Sequence, residues 1–192
     1  MLPFALAVVA ILFFKPEKPI VVVFFLLAFY VLVEMTSRKV ALANSGNTLL
    51  IWPYYLAFEI TIGTLLFKQL AKGLAVKIGL VVFLLLLAES IFNLSPYLTG
   101  SKLAVSLFFI GFSVLWFFQT LKLTERKIER LAMFWICTAL LAYHLPSLLY
   151  QAFDGGYIKI PQDYALTFRE ARRGFNVLSK LLLTVGICLG LK

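Results

Sequence analysis

Four ionisable side chains stand inside long apolar stretches, where they could do chemistry: Glu59, Glu89, His144 and Lys180. Such a group costs a few kcal/mol in a membrane-spanning helix, so it normally faces the bundle interior beside a partner. Counting from the ends of the predicted spans places all four at overlapping depths, with Asn93 one turn from Glu89 on the same helix face. The pattern predicts either a structural ion pair of Lys180 with Glu59 or Glu89, or a polar site for a small ligand, ion or proton.

The sequence contains no spacing typical of a catalytic or metal site. His144 is the single histidine, and zinc or haem sites need further ligands. Cys137 and Cys188 are isolated within apolar stretches, so they make neither a disulfide framework nor a zinc site. HExxH and GxSxG patterns are absent from the sequence. We therefore assign no catalytic residue, metal or cofactor and expect a non-enzymatic protein. Acid–base chemistry on a lipid by single Glu and His residues is the enzymatic alternative.

Apolar stretches fill almost the whole chain and must position these side chains. Hydrophobic residues make up 62% of the 192 residues, and the mean hydropathy is +0.96. This composition requires a bilayer as solvent. Most stretches have about 17–20 residues, enough to cross ~30 Å of hydrocarbon. We predict an all-α integral membrane protein, a single domain over residues 1–192, with seven transmembrane helices over residues 1–14, 19–34, 48–67, 78–97, 103–121, 131–150 and 174–191.

Basic residues set the predicted orientation and explain the net charge. With seven spans, ten lysines and arginines fall on one side of the membrane and seven on the other. The positive-inside rule then puts the C-terminus in the cytoplasm and the N-terminus outside. An all-helical chain is typical of an inner or plasma membrane. The formal charge of +9 does not indicate a nucleic-acid partner, because the basic residues flank spans instead of forming one patch.

Two connections are long enough to carry a function. The segment 122–130, on the cytoplasmic side, is either a solvated loop touching lipid headgroups or a docking surface for a partner. Its basic residues are Lys122, Arg126, Lys127 and Arg130. The external loop 151–173 mixes aromatic and basic residues, as at a membrane interface. It either leads into the seventh span or covers a cavity that opens outward.

One small-residue pattern indicates close helix packing. Gly186 and Gly190 form a GxxxG pattern near the end of the seventh span. Small residues at this spacing let two helix backbones approach closely, within the bundle or between subunits. We therefore predict a helix contact at these two glycines.

The order of several features along the chain is similar to that of a known family. Glu34 ends the second span, Asn47 precedes a third span that contains Glu59, residues 134–136 (Phe-Trp-Ile) open the sixth, and the basic segment 172–176 introduces the last. These features resemble a family of small seven-span bacterial membrane proteins often encoded beside sensor histidine kinases. The resemblance implies a sensory or accessory role with a partner kinase. No kinase motif stands in this sequence, so a signal would pass to another chain.

Lys180 in the last of seven spans also gives a superficial resemblance to microbial rhodopsins. In that family a lysine of the seventh helix forms a Schiff base with retinal beside a carboxylate counter-ion. Here Asn176 stands one turn earlier, where the family usually has an acid, and the third span lacks the family's arginine. The chain is also short for the family. These departures disfavour a bound pigment.

The sequence therefore predicts a sensory or accessory subunit that works through a protein partner. Its expected partners are membrane lipids and another membrane or cytoplasmic protein. A ligand bound among the polar residues would bias helix packing, and segment 122–130 would report the change. The alternative is a small transporter or channel that uses the same polar residues. Paired broken helices or repeated halves would favour transport, and neither is evident in the sequence.

Overall fold

The described part of the chain is helical. The computed structural model describes residues 52–68, 73–92, 98–123, 131–154 and 162–189, together with positions 21, 23, 28, 32, 35 and 36. Within these ranges there are five helices: α1 (Trp52–Leu66), α2 (Leu74–Ile91), α3 (Thr99–Leu123), α4 (Ala132–Asp154) and α5 (Gln162–Leu189). They correspond to the third to seventh predicted spans. The first predicted span and most of the second lie outside the described residues, so seven spans and their orientation stay predictions.

Three of these helices are long and apolar enough to cross a membrane: Leu74–Ile91, Thr99–Leu121 and Ala132–Phe153. The predicted all-helical architecture is confirmed for the described residues, and the three apolar helices support a membrane protein. α1 is described over 15 residues, which is short for a span. α5 has 28 residues, but charged residues in its first half, among them Glu170 and Arg173, lower its hydropathy.

The connection between α4 and α5 differs from the predicted loop 151–173. Residues 151–154 continue α4, and α5 begins at Gln162 instead of residue 174. The rings of Phe153 and Phe168 meet edge to face with their centroids 4.9 Å apart. This aromatic contact holds the two helix extensions together. The first alternative for this segment, that it leads into the seventh span, agrees with a helix that begins at Gln162. The predicted span began only at residue 174 because hydropathy marks the apolar part of a helix and not its polar extension.

Helices that follow one another in the chain pack side by side. Each of the five contacts the next, and α1 also packs against α3. Their connections are short, so neighbours run antiparallel. Gly186 of α5 is buried against the start of α4, and a Cβ there would lie 3.2 Å from the Ala132 carbonyl oxygen. This is closer than most Cβ contacts in proteins, so a side chain here would require the neighbouring atoms of α4 to shift. Gly190 lies outside the described residues.

Candidate functional site

A polar cavity lies at one end of the bundle, between α1, α3, α4 and α5. Because neighbours are antiparallel, the starts of α1 and α3 meet the end of α4 there. The cavity volume is about 270 Å³, near the lower limit of small-molecule sites, ~300–1,000 Å³. Its lining residues are Trp52, Tyr55, Leu56, Glu59, Thr99, Lys102, Val105, Ser106, Tyr143, His144, Ser147, Tyr150, Gln151 and Arg172.

Glu59 and His144 form the floor of the cavity. Both are almost fully buried, at 3% and 2% exposure. His144 Nε2 is 3.8 Å from Glu59 Oε1, which is too long for a hydrogen bond. Neither ring nitrogen of His144 has a hydrogen-bond partner among the described residues. Phe109 stacks on the imidazole with the ring centroids 4.4 Å apart, which fixes the plane of the ring.

Burying an imidazole without hydrogen-bond partners raises the free energy of the folded chain, unless another molecule in the cavity supplies them. Leaving a buried polar group without a hydrogen bond costs about 1–3 kcal/mol. Buried polar groups in folded proteins therefore nearly always have a protein, water or ligand partner. The described residues supply no such partner to the two nitrogens of His144, which line the cavity.

Two tyrosines extend the polar floor. Tyr55 stands one turn before Glu59 on α1, and its hydroxyl donates to Glu59 Oε1 at 3.4 Å. Tyr143 is hydrogen-bonded to Tyr55 and adjoins His144 in the chain. The sequence places both tyrosines beside prolines of their spans, but neither was predicted as a site residue, because aromatics near span ends are ordinary interfacial residues. The i, i+4 spacing of Tyr55 and Glu59 was the available signal.

The mouth of the cavity contains two cations, each beside an aromatic ring. We define the mouth as Trp52, Lys102, Tyr150 and Arg172. Lys102 Nζ lies 4.3 Å from the centroid of the Trp52 ring. Arg172 Cζ lies 4.5 Å from the centroid of the Tyr150 ring. Cation–π contacts of this kind are worth about 0.5–2 kcal/mol, depending on desolvation. The sequence used Lys102 only to assign orientation. Arg172 also belonged to the external segment 151–173, for which covering a cavity was one alternative, but neither cation was predicted as a site residue.

Glu89 is buried, but it does not line the cavity. Its carboxylate accepts hydrogen bonds from the backbone N–H groups of Gly100, at 3.0 Å, and Ser101, at 2.7 Å, and from the Ser101 hydroxyl. These bonds cap the start of α3 from the end of α2. A Cβ at residue 100 would lie 2.6 Å from Glu89 Oε1, so a side chain there would displace the carboxylate from its present position. Glu89 thereby positions Thr99 and Lys102, which do line the cavity.

Lys180 is exposed on α5 and stands apart from the cavity. In the described part of the chain no ion pair joins it to Glu59 or Glu89, so the predicted pair is not found there. The inward face of α5 carries Ser179 and Leu183, both buried. The residue after Ser179 is turned about 100° around the helix axis. Depth along a span does not give this rotation, which is why the prediction grouped Lys180 with the buried acids.

The remaining predicted residues cannot be placed. Asn93, Arg126, Lys127 and Arg130 lie outside the described residues, as does the side chain of Lys122 at the end of α3. Over the described ranges, no three His, Cys, Asp or Glu side chains come together as a metal site would require.

Comparisons of the chain with protein-family models, with curated proteins and with solved structures find no match. The resemblance to the small seven-span family therefore stays a prediction. The cavity and its side chains are the remaining basis for a function.

Proposed function

We propose that this protein is a seven-span inner-membrane protein, with its N-terminus outside, that binds a small polar ligand and serves a partner protein as a sensory or accessory subunit. One observation carries the proposal: the cavity floor buries Glu59 beside an imidazole whose two nitrogens have no hydrogen-bond partner in the described chain. A polar ligand would supply the missing hydrogen bonds and offset the cost of burial.

The cavity is built so that a ligand would touch four helices. Glu59 belongs to α1, Lys102 to α3, His144 to α4 and Arg172 to α5. A ligand shifts a conformational equilibrium only if it binds one helix arrangement better than another. A ligand that contacts four separate helices would bind best to the one helix arrangement that brings all four contacts together. Segment 122–130 joins α3 to α4, two of the cavity walls, so a change in their packing would reach this charged connection.

The bundle interior beyond the floor favours binding over transport. Four phenylalanines fill it, with centroids of contacting rings between 4.7 and 6.4 Å apart: Phe67, Phe108, Phe109 and Phe112. Three of them lie on two consecutive turns of α3, and Phe109 also stacks on His144. Close aromatic packing below the floor leaves the described helices without an evident path from the cavity towards the opposite end.

Purification of the chain from its own membranes in mild detergent tests the subunit role. We expect one protein partner at constant stoichiometry. Replacing the four basic residues of segment 122–130 with Gln should remove the partner, because the docking charges are lost: Lys122, Arg126, Lys127 and Arg130. The matched control replaces Lys68 and Lys77, two exposed lysines outside the segment, and should keep the partner.

Two outcomes would contradict the subunit role. A solitary chain in native membranes has no partner to serve. A purified chain that by itself carries a solute into liposomes would be a transporter, and the alternative function would replace the proposed one.

A further inference from the structure

The mouth and the floor of the cavity differ in charge. Lys102 and Arg172 are the charged side chains at the mouth, and Glu59 is the charged side chain at the floor, beside the imidazole of His144. We propose that the ligand is a small zwitterion, with a phosphate or carboxylate at the mouth and an ammonium group at the floor. The inference rests on the ligand binding proposed above and adds the chemical class of the ligand.

The mouth is suited to an anion. Its two cations come from different helices, α3 and α5, and each is held against an aromatic ring. A guanidinium presents N–H donors in a planar fork that can bind two oxygens of one phosphate or carboxylate. Cations exceed anions among the charged side chains that line the cavity, so binding an anionic group lowers the electrostatic energy of the site.

The floor is suited to an ammonium group. An ionised carboxylate has two oxygens with about four acceptor positions, so Glu59 can accept a hydrogen bond from a ligand together with those from protein groups such as Tyr55. A neutral imidazole offers one further acceptor nitrogen. Glu59 Oε1 and His144 Nε2 are 3.8 Å apart, and one nitrogen can stand ~2.9 Å from both. An ammonium group carries three donors and no acceptor, which matches two acceptors at this separation.

The dimensions of the cavity limit the ligand to a short molecule. Trp52 at the mouth and Glu59 at the floor are separated by two turns of α1, about 10 Å. Arg172 acts electrostatically on the Tyr143 hydroxyl beside the floor, so the charged groups of the two ends interact across the cavity. With about 270 Å³, the cavity suits a zwitterion whose charges are a few bonds apart. Free amino-acid-like molecules and the phosphoethanolamine headgroup of a membrane lipid share this chemistry.

Isothermal titration of the purified full-length chain with O-phosphoethanolamine tests the ligand class. The chain is held in nanodiscs of phosphatidylcholine, whose quaternary ammonium has no N–H donor. We expect saturable binding to the wild type. Monoethyl phosphate, which lacks the amine, and ethylamine, which lacks the phosphate, should each bind at least tenfold more weakly. This series needs no substitution, so it remains decisive if a variant fails to fold.

Two variants and one control locate the binding. Glu59→Gln and Arg172→Gln should each weaken O-phosphoethanolamine binding at least tenfold, by removing the ammonium and phosphate contacts respectively. Lys77→Gln, on the exposed surface of α2, should bind as the wild type does. Nanodiscs containing phosphatidylethanolamine then separate the sources. Competition with the soluble probe supports a lipid headgroup, and undiminished binding supports a free zwitterion.

Other outcomes overturn the ligand class. Monoethyl phosphate that binds as tightly as O-phosphoethanolamine, without an effect of Glu59→Gln, would show an anion site and leave ligand binding in place. Absence of binding by all three probes would reject a zwitterionic ligand. The subunit role would then be tested by co-purification of the partner protein alone.

Discussion

Among single residues, His144 best distinguishes a structural role of the cavity from a ligand-binding one. Its nitrogens have no hydrogen-bond partner in the described chain, while Phe109 holds its ring. A purely structural imidazole would be satisfied within the fold, because partial satisfaction costs more than an apolar side chain of the same shape. We therefore propose that the partner of this imidazole is the ligand of the cavity.

His144→Phe is expected to keep the stacking on Phe109 and to remove the unsatisfied nitrogens. The ligand-free chain should then unfold at the same temperature as the wild type or a higher one, with a gain of up to about 1 kcal/mol. Ligand binding should be lost in the same variant. Thermal unfolding in detergent, with and without O-phosphoethanolamine, measures both effects. A loss of about 2 kcal/mol or more would instead indicate that the folded chain satisfies His144.

At the scale of helices, the tie between α2 and α3 positions one side of the mouth. The Glu89 carboxylate satisfies two backbone N–H groups at the start of α3, which otherwise have no partner within the helix. Lys102 stands on the same first turn of α3. The sequence identified Glu89 as a buried acid, but its partner is the start of a neighbouring helix, and that partner follows only from how the two helices meet.

Glu89→Gln is expected to weaken this cap, because the amide carries no charge and presents one acceptor oxygen in place of two. We expect a loss of about 1–2 kcal/mol in unfolding free energy and faster hydrogen exchange of the Gly100 and Ser101 amides. Glu170→Gln is the matched control. Glu170 pairs with Arg173 on the exposed surface, and such pairs contribute little. Equal losses in the two variants would contradict a capping role.

Across the bundle as a whole, hydropathy located the apolar helices better than it indicated which side chains meet between them. The apolar cores of α2, α3 and α4 were evident in the sequence, because apolar length alone identifies a span. The polar ends of the helices were not evident from hydropathy. The helix α5, for example, begins well before its apolar part. The predicted cluster included Glu59 and His144, which do meet. Lys180 is turned outward, and Lys102 and Arg172 were missed because basic residues flank spans in any membrane protein.

The bundle therefore combines a polar cavity at one end with aromatic packing beyond it. We propose that this cavity holds a small ligand in the native membrane. Native mass spectrometry of the chain purified from its own membranes would detect such a ligand, on the wild type, Glu59→Gln and Lys77→Gln. We predict a bound small molecule on the wild type and on Lys77→Gln, and none on Glu59→Gln. Equal masses of bound material on all three chains, or none on any of them, would contradict the claim.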